Sequence, residues 1–152
     1  MALAIAAAHL DEILALRHAV LRPGRPLDDA RFPGDDQAHT RHWAARSGGR
    51  VVGVATLLVL PMPDPFPLPR PRLQLRGMAV HEDSRCRGVG TALLDAIHRE
   101  VHEPVWCNAR ERAVSLYARA GYSPWGEPFA IEGIGFHRRM MRAPTTAEAP
   151  AG

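Results

Sequence analysis

A glycine-containing loop, Arg85-Cys-Arg-Gly-Val-Gly-Thr91, stands between a strand-like apolar segment and a helix-like apolar segment. Glycine destabilises helix interiors, so Gly88 and Gly90 are expected to serve the entrance of the helix. A helix N-terminus presents unpaired N–H groups and about half a positive charge, which attract anions. With Arg85 and Arg87 as further donors, the loop predicts a phosphate site, above all for a pyrophosphate. A tight structural turn is the alternative.

The segments on either side alternate between strand and helix patterns. The spacing of apolar residues and the positions of turn residues predict a mixed sheet flanked by helices, in an α/β (α+β) domain. In chain order the predicted elements are a strand Leu3–Ala7, a helix Leu10–Leu21, a loop Arg22–Asp36, a hairpin Thr40–Leu60, a strand Arg72–Val80 with a bulge at Gly77, a helix Val89–Glu103, a strand Val105–Asn108, a helix Ala113–Tyr122 closed by Gly121, and a last pair of strands within Trp125–Met141.

The segment Pro61–Pro71 carries proline at every second residue. Proline has no backbone N–H, so this segment cannot donate regular ladder bonds and is expected to run extended. A stiff connection between two strands is the simpler interpretation, and a lid or docking surface is the alternative.

Composition narrows the class of protein. The chain has 152 residues, 46% hydrophobic and 23% charged, which predicts one soluble domain over residues 1–142 and a disordered tail over residues 143–152. Two cysteines favour a reducing cytoplasm, and no run approaches a membrane span. The net charge of +3 comes with scattered arginines and few aromatics, so neither a nucleic-acid nor a membrane partner is expected.

Two common phosphate loops do not fit the glycine loop. The dinucleotide fingerprint needs a third glycine where this chain has Leu93, and the P-loop needs Lys-Ser/Thr where it has Thr91 and Ala92. The pattern Arg85-x-x-Gly88-x-Gly90 instead resembles the acetyl-CoA signature of the GNAT superfamily of N-acetyltransferases. "RGMAV" resembles that family's central strand, and "NARERAVSLYARAGY" resembles its downstream Asn and its helix ending in Tyr-x-x-x-Gly-Phe/Tyr.

The resemblance implies a splayed central sheet and acetyl-CoA as cosubstrate, with no metal. It assigns the CoA pyrophosphate to the loop of Arg85, Cys86, Arg87, Gly88, Val89, Gly90 and Thr91. It pairs the pantetheine arm with the backbone of Met78, Ala79 and Val80. It turns Asn108 toward the cofactor and places Tyr117 near the sulfur, with a weaker match of Arg119 to the adenosine phosphate.

The implied reaction is direct transfer of an acetyl group from acetyl-CoA to a primary amine in a ternary complex. A backbone N–H of Val80 or Met78 would polarise the thioester carbonyl, and Tyr117 would protonate the departing thiolate. Tyrosine has an ordinary pKa of about 10, so the phenol is neutral at pH 7. A tyrosine that only packs its helix onto the sheet is the alternative for Tyr117.

The general base stays open. The central strand carries Gln74 and no acid, so the candidates are Glu82, Asp83, His137, a water, or an amine that arrives neutral. The acceptor amine and the oligomeric state, including a homodimer, are also left open. A non-catalytic acyl-CoA-binding module is the alternative function.

Several polar residues have a plain structural explanation. His98 and His102 are spaced like a zinc helix, but Arg99 stands where a metalloprotease has Glu, so an exposed helix face is expected. Cys86 and Cys107 are expected to be inert. Arg17, His18 and Arg22 line either an acceptor cleft or, more simply, a solvated helix face.

Overall fold

The computed structural model describes residues 2–144, and within them eight strands form one mixed sheet with three α-helices. The order of the strands in the sheet is β1-β2-β3-β4-β5-β8-β6, and β7 pairs with β8. The strands are β1 Leu3–Ala8, β2 Arg41–Ser47, β3 Arg50–Val59, β4 Leu73–Val80, β5 Val105–Arg110, β6 Tyr122–Pro124, β7 Phe129–Ile131 and β8 Gly135–Arg142; the helices are α1 Leu10–Leu21, α2 Val89–Glu100 and α3 Val114–Arg119.

A first compact unit consists of the described part of Met1–Leu58 together with Leu75–Ile97. Its strands β1 and β2 pair antiparallel along their length, and β2 pairs with β3 through the turn at Gly48 and Gly49, both of which have positive φ. A buried cluster then joins α1 to this sheet through Ile13, Leu16, Ala44, Val54 and Ala79.

The two helices of this unit cover opposite faces of β3. Val54 faces the α1 cluster, whereas a β-carbon at Gly53 would lie 2.6 Å from Val89 Cγ1 and 3.0 Å from Leu93 Cδ1. Neighbouring strand residues point to opposite faces, so α1 and α2 pack on different sides of the sheet. Gly53 is what allows α2, which begins right after the glycine loop, to lie this close to β3.

A second compact unit consists of Val59–Gln74 and the described part of His98–Gly152. Strand β8 is its centre, because β5 pairs antiparallel with it from Val105↔Arg142 to Arg110↔His137, and β6 and β7 also pair with it. The parallel pairing of β4 with β5 lies in this unit, at Leu73↔Val105 and Gln74↔Trp106.

The proline segment Pro61–Pro71 is held by the second unit at several points. Its ends close through a hydrogen bond from the Met62 N–H to the Pro71 carbonyl, and both residues are buried. The Trp125 indole donates to the Pro65 carbonyl at 2.8 Å, and the Arg70 guanidinium donates to the Met62 carbonyl. The interpretation as a stiff connection between β3 and β4 agrees with this anchoring.

Most predicted elements are confirmed, although several boundaries differ, most of all those of α2 and α3. Helix α2 ends at Glu100 rather than at residue 103, ahead of Pro104, which cannot continue a hydrogen-bonded turn. Helix α3 is shorter than predicted because a 3₁₀ turn, Glu111–Ala113, precedes it and Tyr122 already belongs to β6. The predicted last pair of strands within Trp125–Met141 is present as β7 and β8, whereas β6 was not predicted, and Gly121 ends α3 with φ +94° as expected. Of the predicted tail, residues 145–152 lie outside the described residues.

We expect Gly53→Ala to destabilise the fold by about 1–3 kcal/mol, because the added methyl group overpacks the contact with Val89. Urea unfolding of the variant measures this. The matched variant is Gly53→Ala with Val89→Ala, in which the clashing Cγ1 is gone and the cost of the Gly53 substitution falls. If the losses in the free energy of unfolding of the two single variants simply add up in the double variant, this packing explanation is contradicted.

Candidate functional site

The glycine loop Arg85–Thr91 leads directly into α2. The first helical hydrogen bond runs from the Ala92 N–H to the Gly88 carbonyl at 2.9 Å. In an α-helix that begins this way, the N–H groups of residues 88 to 91 have no acceptor within the helix. The side chains of Arg85 and Arg87 are exposed beside them. The loop therefore offers backbone donors and two cations to an anion.

The two glycines of this loop differ in their surroundings. Gly88 has φ +80° and is exposed, and a β-carbon there would meet nothing within 4 Å. Glycine is therefore favoured at this position by the left-handed backbone conformation, and the space beside the residue is open. Gly90 is buried, so a side chain at that position would have to enter the protein interior. Cys86 also has a positive φ, of 61°.

Strand β4 carries a break in its regular conformation at Gly77. The residue has φ +65°, and a β-carbon there would lie 3.0 Å from Arg17 Nε and 3.2 Å from Arg17 Nη2. Both the left-handed backbone and the approach of the guanidinium require glycine. The predicted irregularity at Gly77 is thus present, with Met78, Ala79 and Val80 following it on the strand.

Asn108 and Tyr117 lie in the second unit. Asn108 is on β5, and its side-chain oxygen Oδ1 is buried without a hydrogen-bond partner among the described residues. Tyr117 on α3 is buried, with its ring edge-on to Tyr122 at 5.4 Å between centroids. Burial, with a smaller contribution from Cys107, raises the pKa of Tyr117 well above its usual value, so the phenol stays protonated at neutral pH.

A buried ion pair in the first unit was not predicted. Arg17 of α1 is fully buried and holds Asp35 with both terminal nitrogens, at 2.6 and 3.2 Å. Its guanidinium also donates to the Ala30 carbonyl at 2.9 Å and to Thr56 Oγ1 at 2.7 Å. The expected solvated helix face is therefore wrong for Arg17. Burial alone would raise the pKa of Asp35, but its hydrogen bonds from Arg17 and from the Phe32 N–H keep that pKa below its usual value.

His42 extends the hydrogen-bond network of this ion pair, and each donor and acceptor in it can be assigned. Its Nε2 lies 3.0 Å from the Asp35 carbonyl, which only accepts, so Nε2 carries the hydrogen. Its Nδ1 therefore accepts from the Thr56 hydroxyl at 2.7 Å, while the Thr56 oxygen accepts from Arg17. Burial lowers the pKa of His42, as do the charges of Arg17 and Arg76, although Asp35 opposes this. The imidazole is thus held neutral.

The general-base candidates occupy different environments. Gln74 is buried on β4, and its side-chain oxygen has no hydrogen-bond partner among the described residues. Glu82 and Asp83 are exposed in a 3₁₀ turn, Glu82–Ser84, just before the glycine loop. His137 is buried on β8, where its Nδ1 lies 2.9 Å from the Gly135 carbonyl and its ring stacks on Phe129 at 5.9 Å. In a neutral imidazole, donation from Nδ1 to this carbonyl leaves Nε2 as an acceptor.

The zinc-like histidine spacing does not form a metal site. His98 Nε2 is 2.7 Å from the Tyr122 hydroxyl, and His102 lies beyond the end of α2. The expected exposed helix face is therefore wrong for His98, which is half-buried. Among residues 2–144 no group of three or more His, Cys, Asp or Glu side chains is placed to hold a metal ion. Cys107 is buried as expected, and its burial raises the pKa of the thiol.

Comparison with known proteins identifies the family. Residues 9–122 match the Acetyltransferase (GNAT) family. The chain belongs to the GNAT acetyltransferase family. The "Uncharacterized N-acetyltransferase YitI" of Bacillus subtilis (strain 168) is 28% identical over 142 residues, covering 91% of this chain and 94% of that protein.

Several solved structures share this fold. Escherichia coli ElaA has a TM-score of 0.72 at 22% identity, with 93% of this chain and 99% of that chain covered. An aminoglycoside 6'-N-acetyltransferase complexed with coenzyme A has a TM-score of 0.68 at 13% identity, with 91% and 96% covered. The mixed sheet with three helices is therefore a GNAT fold. No helix within residues 2–144 has the length and apolar character to cross a membrane.

The state of His42 predicts a pH dependence of stability for this GNAT domain. Its folded pKa lies below the unfolded value of about 6.5, so the unfolded chain takes up a proton that the folded chain excludes. The contribution of His42 to the free energy of unfolding is therefore fully present above pH 6.5. It is lost as the pH falls from there toward the pKa of His42 in the folded protein. The limiting slope for one proton is about 1.4 kcal/mol per pH unit.

We expect urea unfolding between pH 7 and pH 5 to show a free energy of unfolding that decreases with falling pH in the wild type and decreases less steeply in His42→Gln. The glutamine cannot titrate but retains a donor for the Asp35 carbonyl. His39→Gln, which changes an exposed histidine of the same segment, is the matched control and should keep the wild-type slope. Equal slopes for the wild type and His42→Gln would show that His42 is not the titrating group.

Proposed function

We propose that this protein is an N-acetyltransferase that transfers an acetyl group directly from acetyl-CoA to a primary amine in a ternary complex. The observation that carries the proposal is the run from β4 through the glycine loop into α2. It combines a strand that ends beside the loop, a helix start with unused backbone donors, and two exposed arginines. Membership of the GNAT family and the CoA-bound structural relative support it.

The glycine loop binds the CoA pyrophosphate in this proposal. Backbone N–H groups of residues 88–91 donate to the phosphate oxygens, and Arg85 and Arg87 neutralise their charge. The open space beside Gly88 supports a close approach of the ligand to the backbone. The same role is proposed for the backbone of Cys86, Val89 and Thr91.

The pantetheine arm adds to β4 in the manner of an extra strand. Pairing of β4 with β5 within residues 2–144 is found at Leu73 and Gln74, which supports an available backbone edge at Met78, Ala79 and Val80. Asn108 is proposed as a further cofactor contact. Its buried Oδ1 has no partner among the described residues, and an amide N–H of pantetheine would supply the missing donor.

The chemistry requires a neutral amine, a polarised carbonyl and a proton for the leaving thiolate. The amine attacks the thioester carbon, a backbone N–H of Met78 or Val80 stabilises the oxyanion, and the C–S bond breaks as Tyr117 donates its proton to the thiolate. The acylated nitrogen releases one proton to solvent, and solvent returns one proton to Tyr117. Donation from a phenol to a solvated thiolate is uphill, since a thiol has an ordinary pKa of about 8.5. The apolar surroundings that raise the pKa of Tyr117 would also raise that of a nearby thiol, which reduces the difference.

Strand β4 provides no carboxylate to deprotonate the amine. Gln74 cannot act as a base, and Glu82 and Asp83 are exposed at the loop. We therefore propose that the amine binds in its neutral form or loses its proton through water or His137. The first route makes the rate depend on the neutral fraction of the amine, which increases with pH.

CoA should stabilise the protein, and the two loop arginines should account for part of its affinity. At about 100 times its Kd, acetyl-CoA adds about 2.7 kcal/mol, or roughly 5–10 °C in Tm. Calorimetric titration should show about ten-fold or greater weakening in each of Arg85→Gln and Arg87→Gln, because each loses a charge-assisted hydrogen bond to phosphate.

The exposed Arg112 provides the matched control, since Arg112→Gln removes the same charge outside the loop. Pantetheine, which lacks the pyrophosphate, should bind the loop variants and the wild type equally. A purely structural glycine turn predicts instead that none of these arginine substitutions changes the affinity for CoA.

Tyr117→Phe should slow turnover by about 10²–10⁴-fold while retaining the fold and the affinity for CoA, because only the hydroxyl is lost. The measurement is release of free CoA thiol with a saturating amine, after a screen across amine classes with amine-free blanks. Tyr122→Phe is the matched control: it removes a second buried hydroxyl, bonded to His98, and should lower stability by about 1 kcal/mol while turnover is kept. Wild-type turnover in Tyr117→Phe would exclude Tyr117 as the acid.

The same screen separates the enzyme from a non-catalytic acyl-CoA-binding module. A binding module would give the rise in Tm with acetyl-CoA and no thiol release with any amine. Thiol release that depends on an added amine identifies the transferase.

A further inference from the structure

Three guanidinium groups of the first unit surround one aromatic ring. The guanidinium carbons of Arg17, Arg22 and Arg76 lie 4.4, 5.0 and 5.6 Å from the centroid of the Phe32 ring. We call Arg17, Arg22, Arg76 and Phe32 the Phe32 cluster. Arg17 is fully buried, while the other three residues are half-buried and reach solvent. Three like charges within 6 Å of one ring repel each other unless anions balance them.

Within this region only part of the positive charge is balanced. Asp35 is held by two nitrogens of Arg17 and lies 3.5 Å from Arg76. Arg22 donates to the Leu21 carbonyl, which is neutral. Burial lowers the pKa of Arg22, as do the charges of Arg25 and Arg17, although Asp29 opposes this. The carboxylate of Asp35 is thus shared by Arg17 and Arg76, and Arg22 has no direct ion pair among residues 2–144.

The other acidic residues of this segment pair with other arginines or are exposed to solvent. Asp29 pairs with Arg25 at 2.9 Å and Asp28 pairs with Arg31 at 3.6 Å. Asp36 is exposed to solvent, where its charge is screened. The excess positive charge stays with the Phe32 cluster.

Two donors of the cluster also lack acceptors. The Nε atoms of Arg17 and Arg76 are buried, and neither has a hydrogen-bond partner among residues 2–144. Arg17 Nε lies beside Gly77, 3.0 Å from where a β-carbon would stand. Buried N–H donors in folded proteins are nearly always satisfied, so an unmet donor indicates a missing partner. These donors lie at the irregularity of β4, next to the strand residues proposed to hold the thioester.

We propose that the Phe32 cluster binds the carboxylate of the acyl acceptor, so that the preferred substrates are amines that also carry a carboxylate, such as amino acids and acidic peptides. This inference rests on the proposed N-acetyltransferase function. Arg22 and Arg76 contact the carboxylate, and Arg17 positions them through Phe32 and Asp35. Arg17 is already occupied by Asp35, and the planar fork of Arg22 or Arg76 can hold both oxygens of a carboxylate.

The test uses amines that differ only in this group: 4-aminobutanoate against 4-aminobutanamide, and alanylglutamate against alanylglutamine. In thiol-release assays with acetyl-CoA, the wild type should show a kcat/KM at least about ten-fold higher for each acid than for its amide. Arg22→Gln should reduce this preference to less than about three-fold, mainly through KM. Arg76→Gln should do the same, and Arg22→Lys should restore only part of it because the planar fork is lost.

Arg31→Gln is the matched control, since it removes an exposed arginine of the same segment and should keep the full preference for acids. Urea unfolding establishes that each variant is folded; if Arg76→Gln is not, Arg22→Gln alone decides. Equal turnover of acids and amides by the wild type, a preference that survives Arg22→Gln, or faster turnover of 3-aminopropyl phosphate would overturn the inference and leave the acetyltransferase function standing.

Calorimetric titration of 4-aminobutanoate into the CoA-bound protein distinguishes failure of the carboxylate site from failure of the proposed acetyltransferase function. Should CoA bind and no amine release thiol, the proposed function fails. Binding of the acid to the wild type, weakened at least ten-fold in Arg22→Gln, then still supports the carboxylate site. Absence of binding overturns it as well.

Discussion

The first unit depends on a positive charge placed in its interior. Arg17 takes a guanidinium out of water, and a buried charge is tolerated only when its donors are met and a counter-ion is close. Asp35, Thr56 and the Ala30 carbonyl meet most of that requirement, and they come from the loop after α1 and from β3. One side chain thus fixes a long irregular segment against both a helix and a strand. Removing one partner of such a pair typically costs about 3–5 kcal/mol, since the other charge remains buried.

The proposed chemistry uses backbone more than side chains. Phosphate recognition through helix N–H groups and pantetheine pairing along a strand edge constrain the shape of the chain but few residue types. Structural relatives at 13% and 22% identity share the fold. Specificity for the acceptor, in contrast, needs side chains of particular charge. The Phe32 cluster supplies them from α1, its C-terminal end, the following loop and β4, outside the glycine loop.

Local patterns predicted those elements whose causes are local. Gly121 ends a helix in the left-handed conformation, Gly48-Gly49 turns a hairpin, and the glycine loop opens α2, each within a few residues. The burial of Arg17 could not be read this way, because its partners are 18 and 39 residues away and its helical position resembles a solvated face. The sequence feature that could have indicated this burial is Phe32, the ring partner of Arg17 and the only aromatic residue in a Pro/Gly/Asp-rich loop. The identities of the cofactor residues came from family resemblance, and their roles stay predictions.

The alternating prolines of Pro61–Pro71 have a consequence for self-association. Six of its eleven residues are prolines without a backbone N–H, and the segment bends at residues 64–65 and 68–69, so it cannot present a regular row of donors. A second chain therefore cannot add a regular strand along this segment. Leu68 is 88% exposed in this segment, and such an exposed apolar residue on an ordinary strand would invite aggregation. The prolines let the chain display an apolar side chain at its surface while opposing intermolecular sheet formation there.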